Sequence, residues 1–156
     1  MKKHVVSLLL LWGVVFGGWA EEGFVIQGSV DGITPQSMIS LYRVDNGKRS
    51  LLDKAYVTRG RFKLTGETAD GKAEEVYIML SDKKSPSRTL ALWVSPGAKI
   101  KVIGDSRIAA LWTVESDVDE QKEANLYAVA MRPFLTEYWN YYPEKAKLET
   151  LYRDKN

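Results

Sequence analysis

The sequence predicts a mainly β protein: an antiparallel β-sandwich or partly open barrel of about eight short strands, followed by a C-terminal helical segment. Three observations carry that prediction. Through the first two thirds of the chain, apolar and polar residues alternate with a period of two. Turn signals built on glycine, asparagine and proline separate these runs at regular intervals. After Ser116 the apolar period lengthens to that of a helix. Residues 21–116 therefore read as one all-β domain and residues 117–156 as a helical segment, behind a leader at 1–20.

The strands follow in order. Residues 24–30 set Phe24, Ile26, Gly28 and Val30 against Val25, Gln27 and Ser29, and Asp31-Gly32 closes the run. Residues 38–44 place Met38, Ser40, Tyr42 and Val44 on one face and Ile39, Leu41 and Arg43 on the other. Asp45-Asn46-Gly47-Lys48 then signals a hairpin, because Asn and Gly tolerate positive φ. Residues 55–58 and 61–65 read as a second tight hairpin around Arg59-Gly60, with Phe62 and Leu64 inward and Gly66 ending it. Asp70-Gly71-Lys72 turns into a strand over 74–80, and Pro86 sits in a polar loop over 81–88 that stops pairing. Residues 89–94, 99–103 and 111–114 complete the set, with turns at 95–98 and at Gly104-Asp105.

The helical segment starts from Ser116 or Asp117 as cap, with Asp119 and Glu120 in the first turn, where the helix dipole favours negative charge. Leu126, Val129 and Ala130, then Phe134, Leu135 and Tyr138, recur at helical spacing. Pro133 is expected to kink or divide the helix and Pro143 to interrupt it again, leaving 144–152 as a third helical piece. A helical hairpin and a tail packed on the sheet both satisfy this pattern.

The leader sets the expected compartment. Lys2 and Lys3 precede an apolar run over 5–16, and Gly18 and Ala20 supply small residues at −3 and −1 of a cut after Ala20. This is the pattern of a secretory signal peptide. The apolar run is twelve residues long, short of the roughly 20 that a membrane-spanning helix needs. The expected product is periplasmic or secreted, soluble after cleavage near Ala20, with no stable membrane span. Glu21 stands where a lipoprotein would carry its anchoring cysteine.

Cleavage also neutralises the chain. The full sequence carries 22 basic and 20 acidic side chains, and the leader holds Lys2 and Lys3, so 20 of each remain. No basic footprint for nucleic acid is expected from that balance. Arg61 and Lys63 straddle Phe62 with strand period and read, with Arg59, as a solvated strand face.

Composition removes most catalytic chemistries. The chain has no cysteine, and its single histidine, His4, lies in the leader. Thiol nucleophiles, Cys-x-x-Cys redox pairs, thiolate or histidine zinc sites and Ser-His-acid triads are all excluded from the remainder. Calcium accepts carboxylates, yet Asp117, Asp119, Glu120 and Glu123 lack a glycine-centred loop, and helix capping accounts for the first of them. Two carboxylates could hydrolyse a glycoside. Glu74 and Glu75 are adjacent on a strand and so face opposite ways, while Glu137 lacks an identifiable partner. No cofactor is implied.

The aromatic residues are the binding signal. Tyr138, Trp139, Tyr141 and Tyr142 crowd positions 138–142, with Trp112 and Trp93 on separate strands. Tyr138 and Tyr142 share a helix face, whereas Trp139 and Tyr141 turn away from one another. Rings that cover the end of the sheet would be core. Rings left near solvent suit a protein contact, because Tyr and Trp bury area while keeping a polar atom usable. Tyr138, Trp139, Tyr142, Trp112 and Trp93 are the candidate contact face.

Three segments also resemble a known family. Phe24-Val25-Ile26-Gln27-Gly28 looks like its opening strand. Asp53-Lys54-Ala55-Tyr56-Val57, followed by Gly60-Arg61-Phe62-Lys63-Leu64-Thr65-Gly66, looks like its central signature. The stretch 92–105, with Ser95-Pro96-Gly97-Ala98 between two strands, looks like its later strand pair. The chain is thus similar to the domain of unknown function 4369, the N-terminal accessory domain of exported thioredoxin-like (thiol–disulfide interchange) proteins of Bacteroidota. The resemblance implies an all-β module without catalytic residues of its own, the redox cysteines lying in a following thioredoxin-like domain. The expected function is therefore a non-catalytic exported β domain that binds or positions a protein, or a missing thioredoxin-like domain, in the cell envelope. The alternatives are a small-ligand or glycan-binding module with a groove lined by Trp93, Trp112 or Trp139, and a hydrolase using carboxylates alone.

Overall fold

A computed structural model describes residues 23–153, so the leader expected over 1–20 lies outside the described residues. Eight strands form two four-stranded sheets, and one long helix follows. The strands are β1 (Gly23–Val30), β2 (Met38–Asp45), β3 (Lys48–Tyr56), β4 (Arg61–Glu67), β5 (Glu74–Leu80), β6 (Thr89–Val94), β7 (Lys99–Gly104) and β8 (Thr113–Glu115). The first sheet has the order β4-β1-β7-β8 and the second β3-β2-β5-β6. The sheets do not close on each other, so the fold is a sandwich.

Strand alternation builds the core. The first sheet contributes Phe24, Ile26, Val30, Phe62, Leu64, Ile100, Val102 and Val114, and the second Ile39, Leu41, Val76, Ile78, Leu80, Leu90, Leu92 and Val94. Each such side chain contributes about 1.5–3 kcal/mol when fully buried. Within the first sheet, aromatic rings lie on glycines. Gly28 pairs with Phe62 and Gly66 with Phe24 across β1 and β4. A Cβ at Gly28 would fall 1.9 Å from the Phe62 ring, and one at Gly66 would fall 2.6 Å from the Phe24 ring. Gly66 therefore does not end its strand as expected; β4 continues to Glu67 because the glycine seats Phe24.

Local turn chemistry and long-range pairing part company after β3. The Asn46-Gly47 turn has φ of 47° and 77°, the left-handed pair that a tight hairpin between β2 and β3 requires. Arg59-Gly60 has the same character, with φ of 51° and 73°. The hairpin expected there is nevertheless a single bridge, Thr58 to Arg61. Beyond it β3 stays in the second sheet while β4 joins β1 in the first. Val57 drops into the core at the crossing, and the Val30 N–H donates to the Gly60 carbonyl at 2.7 Å, pinning the turn to the end of β1.

Residues 48–54, not expected as strand, belong to β3. Their alternation is broken by a bulge: Leu41 pairs with Asp53 and Tyr42 with Leu51, which leaves Leu52 as the extra residue. β1 and β7 run parallel, a pairing between strands distant in sequence that local alternation does not reveal. The last strand starts later than expected. Ala109–Leu111 forms a 3-10 turn, Trp112 follows it outside any strand, and β8 begins at Thr113.

The helix α1 (Asp119–Arg153) is continuous for 35 residues, about 52 Å at 1.5 Å per residue. Neither the expected division at Pro133 nor the separate third piece occurs. Each proline withholds one backbone donor, but both rings are exposed, so water reaches that side of the helix. Neither a helical hairpin nor a tail folded wholly onto the sheet forms.

Candidate functional site

The sandwich has two open sides, and polar side chains lace each of them. On one side the bulge at Leu52 directs Asp53 toward β4, where Oδ2 accepts the Thr65 N–H at 2.8 Å and the Thr65 hydroxyl at 3.2 Å. On the other, the edge strands β6 and β8 are bridged by α1. Gln121, 3% exposed, accepts the Trp93 N–H at 2.7 Å and donates to Asn125 Oδ1 at 2.9 Å. Asn125 in turn donates to the Val114 carbonyl at 2.8 Å. Arg132 adds a bond to the Thr113 hydroxyl at 3.1 Å.

This docking divides the helix lengthwise. Gln121 is buried, and Ala124, Asn125, Met131, Arg132, Leu135, Thr136 and Trp139 are half-buried, recurring at three and four residues. The stripe ends at Trp139, and every residue over 140–153 is exposed. Apolar residues do not end with it. Tyr141, Tyr142, Leu148 and Leu151 stand 45–61% exposed, as do Phe134 at 60% and Tyr138 at 49% nearer the sandwich.

The five aromatic residues singled out by sequence are thus not one face. Tyr138, Trp139 and Tyr142 come together. Tyr138 meets Trp139 edge-on with centroids 5.0 Å apart, Trp139 lies 5.6 Å from Tyr142, and Phe134 stacks on Tyr138 at 6.4 Å. The Trp139 indole N–H is shielded from solvent and makes no hydrogen bond. Trp112 is core, which corrects its place in the contact face. It is 3% exposed, its ring lies on Gly104, and Nε1 donates to the Ser106 carbonyl at 2.7 Å. A glycine at the end of β7 leaves the space that draws the indole inward.

Trp93 belongs to another surface, the outer face of the second sheet, which sequence reasoning missed. Tyr42 and Tyr77 are direct neighbours there, with Leu51 beyond Tyr42 and Ala91 beyond Tyr77. Val44 and Leu51 on this face are 41% and 52% exposed. The alternation that placed Tyr42 and Val44 together was the available signal; the neighbours from β3 and β5 were not readable. The outer face of the first sheet is basic instead. Lys63 and Lys101 flank Gln27, and Arg61 lies beside Ser29.

Acidic groups are engaged one by one. Arg43 holds Glu74 through bonds of 2.6–3.1 Å and also donates to the Glu67 carbonyl. Its hydrogen bond to Glu74 keeps the guanidinium above its ordinary pKa against the opposing effect of burial. Glu75 accepts from the Tyr77 hydroxyl, and that bond raises the phenol's pKa. Asp119 pairs with Lys122 at 2.8 Å, which lowers the carboxyl and raises the ammonium. Among the described residues no cluster of three or more His, Asp or Glu side chains is placed to hold a metal ion. A groove between α1 and the β7–β8 pair is lined by Lys99, Lys101, Trp112, Asn125 and Arg132, so Trp112 reaches a groove even from the core. No helix among the described residues is long and apolar enough to cross a membrane. The sequence matches no family model and no curated protein.

Proposed function

We propose that this chain is a non-catalytic β module, exported to the periplasm or beyond, that binds or positions another polypeptide through its long helix. A thioredoxin-like domain or another envelope protein is the partner the resemblance favours. One observation carries the reading. The half-buried stripe of α1 ends at Trp139, yet exposed aromatic and aliphatic side chains continue to Leu151. A run of exposed aromatic and aliphatic side chains along one helix suits a contact, and Tyr and Trp are the side chains enriched at protein interfaces. The sandwich supplies the support. The Gln121–Asn125 bridge and the Arg132 bond hold the first turns rigidly and project the aromatic ones.

The test is site-specific photo-crosslinking from positions 139 and 142 in cells exporting the chain, with position 72 on an exposed turn as control. Discrete protein adducts from 139 and 142, absent from 72, are the expected result. Equal labelling at all three positions, or adducts to glycan alone, would overturn the reading.

A further inference from the structure

We infer that the partner of the helix is a second copy of this chain, paired antiparallel along one seam. This rests on the reading of α1 as a protein-contact arm and names what the arm binds.

The seam shares only Met131 with the half-buried stripe. Tyr127, Phe134, Tyr141 and Leu148 repeat every seven residues, and Met131, Tyr138, Lys145 and Tyr152 repeat every seven between them. Together they form the alternating three- and four-residue spacing of a coiled-coil interface. The stripe that docks on the sandwich, through Gln121, Asn125 and Arg132, lies to one side. Tyr127 shows the separation: it is 69% exposed although Asn125 beside it is bonded to β8. Phe134, Tyr138, Tyr141 and Leu148 are 49–61% exposed.

The seam is complementary to itself when reversed. Placing two copies antiparallel about the midpoint between Trp139 and Asn140 sets Tyr138 against Tyr141 and Met131 against Leu148. The same register sets Phe134 against Lys145 and Tyr127 against Tyr152. Every layer is apolar or aromatic except the one holding Lys145, whose ammonium then lies on the Phe134 ring as a cation–π contact. Glu137 of one copy faces Glu144 of the other on the same flank, a like-charge contact at the rim that solvent and salt screen. The parallel alternative has flank Glu–Glu contacts as well, Glu144 against Glu149, and in addition sets Lys145 against Lys145 inside the seam, a like-charge layer that the antiparallel register avoids. A two-fold axis through the seam also closes the assembly at a dimer. The exposed seam side chains amount to about 600 Å² per chain, or about 1,200 Å² in all, the lower end of what specific interfaces bury.

Because the chain has no cysteine, introduced thiols report the pairing without background. Sedimentation of the exported protein over a dilution series should show a monomer–dimer equilibrium. Tyr138→Glu enters the interface twice by symmetry and should weaken it by about 100-fold or more. Lys145→Leu replaces the charged layer by an apolar one and should tighten it by about tenfold. Met131→Cys mixed with Leu148→Cys should give an intermolecular disulfide under mild oxidation, and neither alone should. A disulfide formed by Met131→Cys alone would overturn the antiparallel register. A protein that stays monomeric, with Lys145→Leu included, would overturn self-pairing. If that monomer still yields adducts from 139 and 142, the contact-arm reading stands with another partner; if it yields none, both readings fall.

Discussion

Replacing Gln121 by alanine should detach the start of the helix from the sandwich without unfolding the core. Gln121 is nearly inaccessible, and its amide serves both edge strands: it accepts from Trp93 on β6 and orients Asn125, which donates to Val114 on β8. Gln121→Ala leaves the Trp93 N–H without its acceptor. An orphaned buried group costs about 1–3 kcal/mol, and the second bond lost contributes about 0.5–1.5 kcal/mol. The expected destabilisation is about 2–3 kcal/mol, seen as a fall in Tm of roughly 6–12 °C. Asn125→Ala breaks the same chain of bonds, so the double variant should depart from additivity by at least about 0.5 kcal/mol. Urea unfolding followed by circular dichroism gives these numbers. Hydrogen exchange locates them: amides over 122–132 should lose protection while β2 and β5 keep theirs. A Gln121→Ala protein within about 0.5 kcal/mol of the parent, with Asn125→Ala adding independently, would refute the amide bridge as what fastens the helix.

Three further changes test other parts of the structure. Gly104→Ala places a Cβ 2.4 Å from the buried Trp112 ring, and overpacking of that kind should cost about 1–3 kcal/mol; an unchanged urea midpoint and tryptophan emission would show that the indole does not rest there. Asp53→Ala removes the carboxylate joining β3 to β4 and should cost about 1–2 kcal/mol, with faster exchange of the Thr65 amide as the local readout; unaltered exchange would count against the link. Asp82 is buried, which raises its pKa, yet the Thr34 and Lys84 N–H groups, the Thr34 hydroxyl and the charge of Arg107 outweigh burial and hold it below the ordinary value. A depressed folded pKa gives stability that is present above the unfolded value of about 3.9 and is lost as pH falls through the folded one. Asp82→Asn should therefore flatten the decline in stability in that acid range, and parallel acid-unfolding curves for parent and variant would contradict the assignment.

Much of the sandwich was legible because a half-buried strand writes its burial into alternate residues. β5 and β6 carry the alternation of Val76, Ile78 and Leu80, and of Leu90, Leu92 and Val94, and each ends where its alternation ends. The Asn46-Gly47 turn was legible for the same local reason, since its residue types answer a φ requirement. β3 was not, because Lys48, Arg49 and Ser50 are exposed on an edge strand and the bulge at Leu52 shifts the alternation by one. Pro133 and Pro143 misled for the opposite reason: their local cost is real, but the helix runs through both, with anchors at Gln121, Asn125 and Arg132 ahead of Pro133.

Sequence alone determined the mainly β class, the helical segment and the exclusion of thiol and histidine chemistry from residues 21–156. Each of these depends on residue identity or short-range periodicity. Only the tertiary structure decided that Trp112 is core, that Trp93 sits with Tyr42 and Tyr77, and that Tyr138, Trp139 and Tyr142 stand on a helix reaching past the sandwich. An aromatic residue reads the same in sequence whether it fills a core or faces a partner. What separates the two is burial, here the 3% exposure of Trp112 on the glycine at the end of β7 against the 45–56% exposure of Tyr141 and Tyr142.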